Sequence, residues 1–258
     1  MSMMRRDFWM LAFLLLLPAC KPRSELLTWE LVEAHAHDTD CYTQGLEFHG
    51  ELLFESGGQY GESKLRRVDP KTGDVLMERK LPAQIFSEGL TVVGDELWLL
   101  TWKAGKAYVF DRESFELKHT HTYEGEGWGL AWNGQELIMS NGCGTLTLRD
   151  PKDFSIKGEI KVTRDGKPQE NLNELEYDDG VMHDRIYANV YQKDEIVQID
   201  PASGEITGVI ELSSLRQEFE FDDAQELNGI ALHPETGNLW VTGKYWPKMF
   251  EIKLKKSH

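Results

Sequence analysis

The chain has 258 residues, a formal net charge of −16 and three cysteines. That length suits one large domain or two ordinary ones, and 40% hydrophobic residues is a globular composition rather than a disordered one. The 44 Asp and Glu against 28 Lys and Arg exclude a uniformly basic nucleic-acid-binding surface, and the cysteines lack both the number for a disulfide framework and any CxxC spacing.

The first segment reads as an address. Arg5 and Arg6 precede an apolar run from Phe8 to Leu17, followed by Pro18, Ala19 and Cys20. A charged start, a short apolar stretch and a small residue at the end are the parts of an export signal. The run is too short to span a bilayer as a helix. Leu17-Pro18-Ala19-Cys20 resembles a bacterial lipoprotein box. The resemblance implies cleavage before Cys20, lipidation of its thiol, and a lipid-anchored protein on the periplasmic side of a membrane. A plain secretory signal with an incidental cysteine is the alternative. Residues 1–19 are then signal, 20–27 a tether, and 28–258 one domain. Without the signal, 26 basic residues face 43 acidic ones, a charge of −17. Cys41 and Cys143 remain, and an oxidising compartment leaves them open to pairing or to staying free.

The rest of the chain repeats. Thr28 to Ala34 is strand-like. After it come Gln44-Gly45-Leu46, Glu88-Gly89-Leu90, Trp128-Gly129-Leu130 and Asn228-Gly229-Ile230, with Asn173-Glu174-Leu175 in the same phase but lacking the glycine. A second marker keeps step: turns at Asp69-Pro70-Lys71-Thr72-Gly73, Asp111 to Phe115, Asp150-Pro151 to Phe154, and Asp200-Pro201-Ala202-Ser203-Gly204. Asp bonds nearby backbone at a turn start, and Pro presets φ for the next position. Between the markers lie short β-branched and aromatic runs: Glu96–Trp102, Lys106–Asp111, Glu136–Ser140, Arg185–Tyr191, Glu195–Asp200 and Asn238–Thr242. Ser213 to Phe221 has room for one or two helical turns.

About four strands per repeat of 40–55 residues is the signature of a β-propeller blade. The fold expected is all-β, a five-bladed propeller. The last unit ends at Phe250–Leu254 one strand short, and the N-terminal strand supplies the missing outer one, which removes an open edge. In such a ring the starts of the first strands and the ends of the second strands converge on one mouth. That brings together Gln44, Glu88, Trp128, Asn173 and Asn228 with Trp102, Asn141, Tyr191 and Lys244. The Asp turns fall at the other face. A carboxylate, an amine, amides and aromatics suit a small polar ligand held between rings. The same geometry brings Cys41 and Cys143 to this mouth, on blades one and three.

These residues resemble one family, the plant-type and bacterial glutaminyl-peptide cyclotransferases, which are five-bladed propellers. The resemblance runs from about Thr39 to Lys253. It is carried by Tyr42-Thr-Gln-Gly-Leu46, Phe86-Ser-Glu-Gly-Leu90, Leu100-Thr-Trp-Lys103, Glu126-Gly-Trp-Gly-Leu130, Asn173-Glu-Leu-Glu176, Ala188-Asn-Val-Tyr191, and Leu227-Asn-Gly-Ile-Ala231 with Thr242-Gly-Lys244. It implies active-site positions at Gln44, Phe86, Glu88, Trp102, Trp128, Asn173 and Lys244. Tyr42 stands where the family has Phe, Tyr191 where Trp is frequent, and Asn141 where Asp is common. The implied reaction closes N-terminal glutamine to pyroglutamate and releases ammonia. The nucleophile is the substrate's own amine, so the protein must position it and move protons. Glu88 is the expected proton shuttle. Gln44, Asn173 and Lys244 are the expected carbonyl and amide binders. Tyr42, Phe86, Trp102, Trp128, Asn141, Tyr191 and Asn228 complete the substrate site.

No cofactor or metal is expected, nor any nucleic-acid partner. The partner is a peptide or protein with N-terminal glutamine, and the chain is expected as a monomer. His35/His37 and His119/His121 read as surface histidines on outer strands. Two rivals stay open: a noncatalytic peptide-binding propeller, and a metal-dependent sugar lactonase, for which the repeat-leading positions offer one carboxylate where several are needed.

Overall fold

A computed structural model describes residues 24–180, 184–219 and 225–255. The predicted signal and Cys20 lie outside the described residues. Two N-terminal strands come first, β1 (Glu25–Leu26) and β2 (Trp29–Ala36). Blade one is β3 (Thr43–His49), β4 (Leu52–Gly57), β5 (Lys64–Val68) and β6 (Val75–Lys80). Blade two is β7 (Ser87–Val93), β8 (Glu96–Thr101), β9 (Lys106–Asp111) and β10 (Leu117–Thr122). Blade three is β11 (Leu130–Trp132), β12 (Leu137–Met139), β13 (Thr145–Arg149) and β14 (Ile156–Lys161). A small hairpin, β15 (Thr163–Arg164) and β16 (Lys167–Pro168), leads to blade four: β17 (Leu172–Asp178), β18 (Arg185–Val190), β19 (Glu195–Ile199) and β20 (Ile206–Glu211). The one helix among the described residues, α1 (Ser213–Phe219), precedes β21 (Leu227–Leu232), β22 (Leu239–Gly243) and β23 (Lys248–Leu254).

The five-bladed propeller expected from the repeats is the fold observed. Blade five closes as predicted: β2 runs antiparallel to β23, from Trp29 opposite Leu254 to Ala36 opposite Lys248. The end of the predicted tether, from Glu25 to Leu27, is held against the ring, and its residues 20–23 lie outside the described residues. Glu25 and Leu26 pair in parallel with Gly208 and Val209 of β20, and Leu27 N donates to Val209 O at 2.8 Å. Leu27 lies over Gly208, where even a Cβ would come within 2.5 Å of it. These residues cover the outer edge of blade four, which would otherwise offer unpaired backbone groups.

Each blade junction has its own hydrophobic cluster. Leu46, Phe48 and Leu53 meet Trp240 and Met249 where blade one adjoins blade five. Leu97, Leu99 and Phe110 meet Phe54 and Leu65 between blades two and one. Trp98 and Val109 meet Leu137 and Phe154 between two and three. Ala131 and Ile138 meet Leu175 and Val197 between three and four. Ile196 and Ile210 meet Ile230 and Phe250 between four and five. The ring is therefore closed by burial of apolar surface at every seam.

The Asp turns behave as read. Asp69 Oδ1 accepts from Lys71 N at 2.8 Å, and Asp111 Oδ1 accepts from Ser114 N at 2.9 Å. The fifth turn position is left-handed in all four turns: Gly73 and Gly204 at φ 78° and 72°, Phe115 and Phe154 at φ 55° and 63°. The phenylalanines adopt a conformation that costs a side chain about 1–2 kcal/mol. Burial of both rings at blade junctions offsets it.

Candidate active site

The first strand of four blades begins with a β-bulge. The pairing register shifts between Thr43 and Gly45, between Ser87 and Leu90, between Leu172 and Leu175, and between Leu227 and Ile230. Gln44, Glu88, Asn173 and Asn228 sit inside these shifts. A bulge inserts an extra residue and re-aims its side chain. The glycine that follows lets neighbouring first strands approach: a Cβ on Gly45 or Gly89 would stand 2.6 Å from the backbone nitrogen of Leu90 or Leu130. Hydroxyls in or just after the second strands then stitch blades together, Ser56 Oγ donating to Glu88 O at 2.5 Å and Ser140 Oγ to Asn173 O at 2.6 Å.

The mouth holds a cavity of about 210 Å³. Its polar lining is Gln44, Glu88, Asn173 and Lys244, and its aromatic lining is Tyr42, Phe86, Trp102, Trp128 and Tyr191. All were expected there. Glu88 is 4% exposed and accepts a hydrogen bond from Gln44 Nε2 at 2.6 Å. Burial raises its proton affinity well above that of an ordinary carboxyl, the Lys244 charge and the Gln44 bond oppose the rise, and Glu126 adds to it. Lys244, 2% exposed, has its ammonium 3.7 Å from Glu226 Oε2, 4.6 Å over the Tyr42 ring and 4.9 Å over the Tyr191 ring. Burial lowers its pKa, while Glu226 and then Glu88 hold it up. Asn173 lines the cavity, and its Oδ1 is buried without a hydrogen-bond partner.

Two expected substrate contacts are corrected. Asn228 is fully buried behind the pocket; its Nδ2 donates to Gln44 Oε1 at 3.2 Å and to Thr43 O at 3.0 Å. Asn141 is exposed outside the pocket and caps its own turn, accepting from Cys143 N at 3.2 Å. Short polar side chains favour such local bonds. Gln44 lines the cavity while each end of its amide makes one internal bond, to Glu88 and from Asn228.

The cysteines do not pair. Cys41 is a buried free thiol in blade one and Cys143 an exposed free thiol in blade three. The histidine reading also fails in part. His35 is 7% exposed and stacks on Trp240 at 4.2 Å. His37 bridges Trp246 O at 2.6 Å and Glu55 Oε1 at 2.8 Å. Only the pair on β10 is open: His119 is exposed and His121 half-buried against Trp98.

Sequence reasoning missed Glu126 and Glu226, which carry the pocket's walls and its cation. The signal was available, because both stand two residues before a repeat-leading residue. So do Tyr42 and Phe86, which line the cavity. It also undercounted carboxyls on the inner strands. Glu47 and Glu174 are there, but they are spent on the backbone: Glu47 accepts from Val92 N at 3.1 Å, and Glu174 accepts from Leu46 N at 3.2 Å and Ile230 N at 2.9 Å. Where the other blades have glycine, blade four thus has a carboxyl that ties blades one and five. Burial pushes Glu47 up to about 7 and Glu174 well above the usual range.

Comparison with known proteins bears on this pocket. A family model described as glutamine cyclotransferase matches residues 10–254. The chain is 38% identical over 233 residues to a glutaminyl-peptide cyclotransferase of Arabidopsis thaliana, covering 88% of this chain and 72% of that one. It also superposes on the crystal structure of Myxococcus xanthus glutaminyl cyclase with a TM-score of 0.84 and 33% identity, covering 92% of this chain and all of that one.

Proposed function

The chain belongs to the glutamine cyclotransferase family, and on that premise we propose how its pocket turns an N-terminal glutamine into pyroglutamate and ammonia. The observation that carries the assignment is a buried carboxyl, Glu88, held by an internal amide in a small cavity with aromatic walls. The substrate's α-amine attacks its own side-chain amide carbon, and the C–N bond to the departing nitrogen breaks. The attacking nitrogen loses one proton and the leaving nitrogen gains one. Glu88 takes the first and delivers the second, so it ends in its starting state. A group that both accepts and donates works best with a pKa near the working pH, and burial moves Glu88 in that direction.

The Asn173 side-chain amide, which lines the cavity, binds a polar group of the substrate. Lys244 donates to the carbonyl oxygen that gains charge as the ring closes. Gln44, held from behind by Asn228, positions Glu88. The aromatic walls keep water from the glutamine side chain and hold it in a reactive shape. Family membership displaces both the noncatalytic propeller and the lactonase readings.

The test is Glu88→Gln, with ammonia release from a Gln-initiated peptide as the readout. The expected loss in kcat is about 10²–10⁴-fold, the usual worth of general acid–base catalysis. Turnover near that of the unaltered protein, with the fold intact, would overturn the shuttle role.

The export reading supplies a second proposal. The layout of residues 5–20 supports a protein anchored through lipid on Cys20 and acting on peptides outside the cytoplasm. Incorporation of a labelled fatty acid that disappears in Cys20→Ala, with release of the protein from membranes, is the expected result. Equal membrane retention in Cys20→Ala would contradict it.

A further inference from the structure

The aromatic wall of the pocket is a chain of ring contacts with two gaps. Tyr42 meets Phe86 edge-on at 6.0 Å, and Phe86 meets Trp102 at 5.5 Å. Trp128 meets Tyr191 at 5.5 Å. Lys244 bridges the gap between Tyr191 and Tyr42 by lying over both rings. The other gap, between Trp102 and Trp128, has no ring contact. It is bridged by one carboxylate oxygen. Glu126 Oε2 accepts from Trp102 Nε1 at 2.7 Å and from Trp128 Nε1 at 3.1 Å.

We propose that Glu126 is a positioning residue for the cyclisation: its carboxylate locks the Trp102 and Trp128 indoles and completes the aromatic collar around the substrate's glutamine side chain. This rests on the cyclotransferase reading of the pocket given above. Three features argue for it. The two tryptophans come from different blades, Trp102 after β8 and Trp128 before β11, so no single strand sets their relative orientation. Indole N–H is a donor only, and an anionic acceptor makes the stronger kind of bond with it. The remaining oxygen, Oε1, is engaged as well: Lys103 Nζ lies 3.6 Å from it and 3.8 Å over the Trp102 ring. Lys103 thus holds carboxylate and indole from the solvent side. The Trp128 ring has further support from Gly142, where a Cβ would stand 2.7 Å from the ring.

Glu126 itself does not line the cavity. It acts through the walls, so its loss should loosen substrate binding more than it slows chemistry. Its side chain is 39% exposed, and its removal opens no buried core.

The experiment compares Glu126→Ala with Glu126→Gln in the full chain. Gln keeps a carbonyl oxygen that accepts from both indoles; Ala keeps none. Near-UV circular dichroism without substrate reads indole order, and KM and kcat for a Gln-initiated dipeptide read the collar in use. Glu126→Ala should weaken the tryptophan near-UV bands and raise KM about tenfold, in line with losing hydrogen bonds to a charged group, with kcat changed less than about threefold. Glu126→Gln should keep the bands and a KM within about twofold of the unaltered protein. Unchanged bands and KM in Glu126→Ala would overturn the proposal. So would a Gln variant as impaired as Ala, since charge rather than the clamp would then matter. If Glu126→Ala fails to fold, Trp102→Phe, which removes one donor, must raise KM in the same direction while Glu126→Gln does not; otherwise the clamp is rejected. If no variant turns over glutaminyl peptides and neither does the unaltered protein, the cyclotransferase reading fails, while the near-UV bands still judge the clamp.

Discussion

Lys244 and Glu226 set the electrostatics of the pocket from its cationic end. Burial weakens the ammonium's hold on its proton, and the Glu226 carboxylate opposes that loss across 3.7 Å. Glu88 faces the same cation, and Tyr42 and Tyr191 face it with their rings. Replacing Glu226 by Gln removes one of the two groups that raise the Lys244 pKa. The lysine then loses its proton at a lower pH. The expected outcome is an alkaline limb in the pH profile of kcat/KM displaced toward lower pH, with little change on the acid side. An unchanged alkaline limb would show that Lys244 does not govern it. At this scale the sequence was most legible where chemistry and repeat phase coincided, as at Glu88. It was least legible where a residue acts through another. Nothing in its type separates Asn228, which holds Gln44 from behind, from Asn173, which faces the cavity.

The first strand of each blade is where element geometry becomes site geometry. Bulges turn Gln44, Glu88 and Asn173 toward the mouth, and the following glycine lets adjacent strands close in. Gly89→Ala would set a Cβ 2.6 Å from Leu130 N, a backbone atom with no soft way to yield. The expected cost is about 1–3 kcal/mol, as for overpacking generally. It is measurable as a lower denaturant midpoint, with a further loss of activity because Glu88 is the adjacent residue. A midpoint equal to that of the unaltered protein would mean that the strands can separate without penalty. The glycine-marked repeat was readable as strand phase. The bulges were not, since they depend on which residues of the second strand end up opposite. Nor was the pairing of Glu25 and Leu26, which takes its meaning from an edge on β20 some 180 residues away.

Closure of the whole ring rests on β2, and a buried ion pair fastens the chain just beyond it. His37 donates through both ring nitrogens, to Trp246 O in blade five and to Glu55 in blade one. Glu55 also accepts from Thr43 Oγ1 at 2.8 Å. Burial opposes charge on both partners, yet each holds the other charged: His37 is raised from 6.5 and Glu55 lowered from 4.5. The histidine contribution is full below 6.5 and fades as pH rises through the raised folded value. The carboxylate contribution is full above 4.5 and fades as pH falls through the lowered folded value. His37→Gln should therefore destabilise most between these two values, by about 3–5 kcal/mol for an orphaned buried charge, and less at alkaline pH. Thermal melts of both proteins across pH 4 to 9 check this. A stability difference that grows toward high pH would refute the pair.

The division between what sequence and structure each decided follows from the range of the interactions involved. Strand phase, Asp turns and glycine-marked starts are local, repeat along the chain, and announced five blades and one mouth. The lone carboxyl among the repeat-leading residues marked Glu88 for the same reason, because phase put it where the blades converge. Tertiary structure decided what depends on partners distant in the chain. It made His37 a buried fastener rather than a surface histidine, kept the two thiols apart in separate blades, and paired Glu25 and Leu26 at the end of the expected tether with blade four. It also bound two indoles from different blades to one carboxylate, a juxtaposition that exists only once the ring has closed.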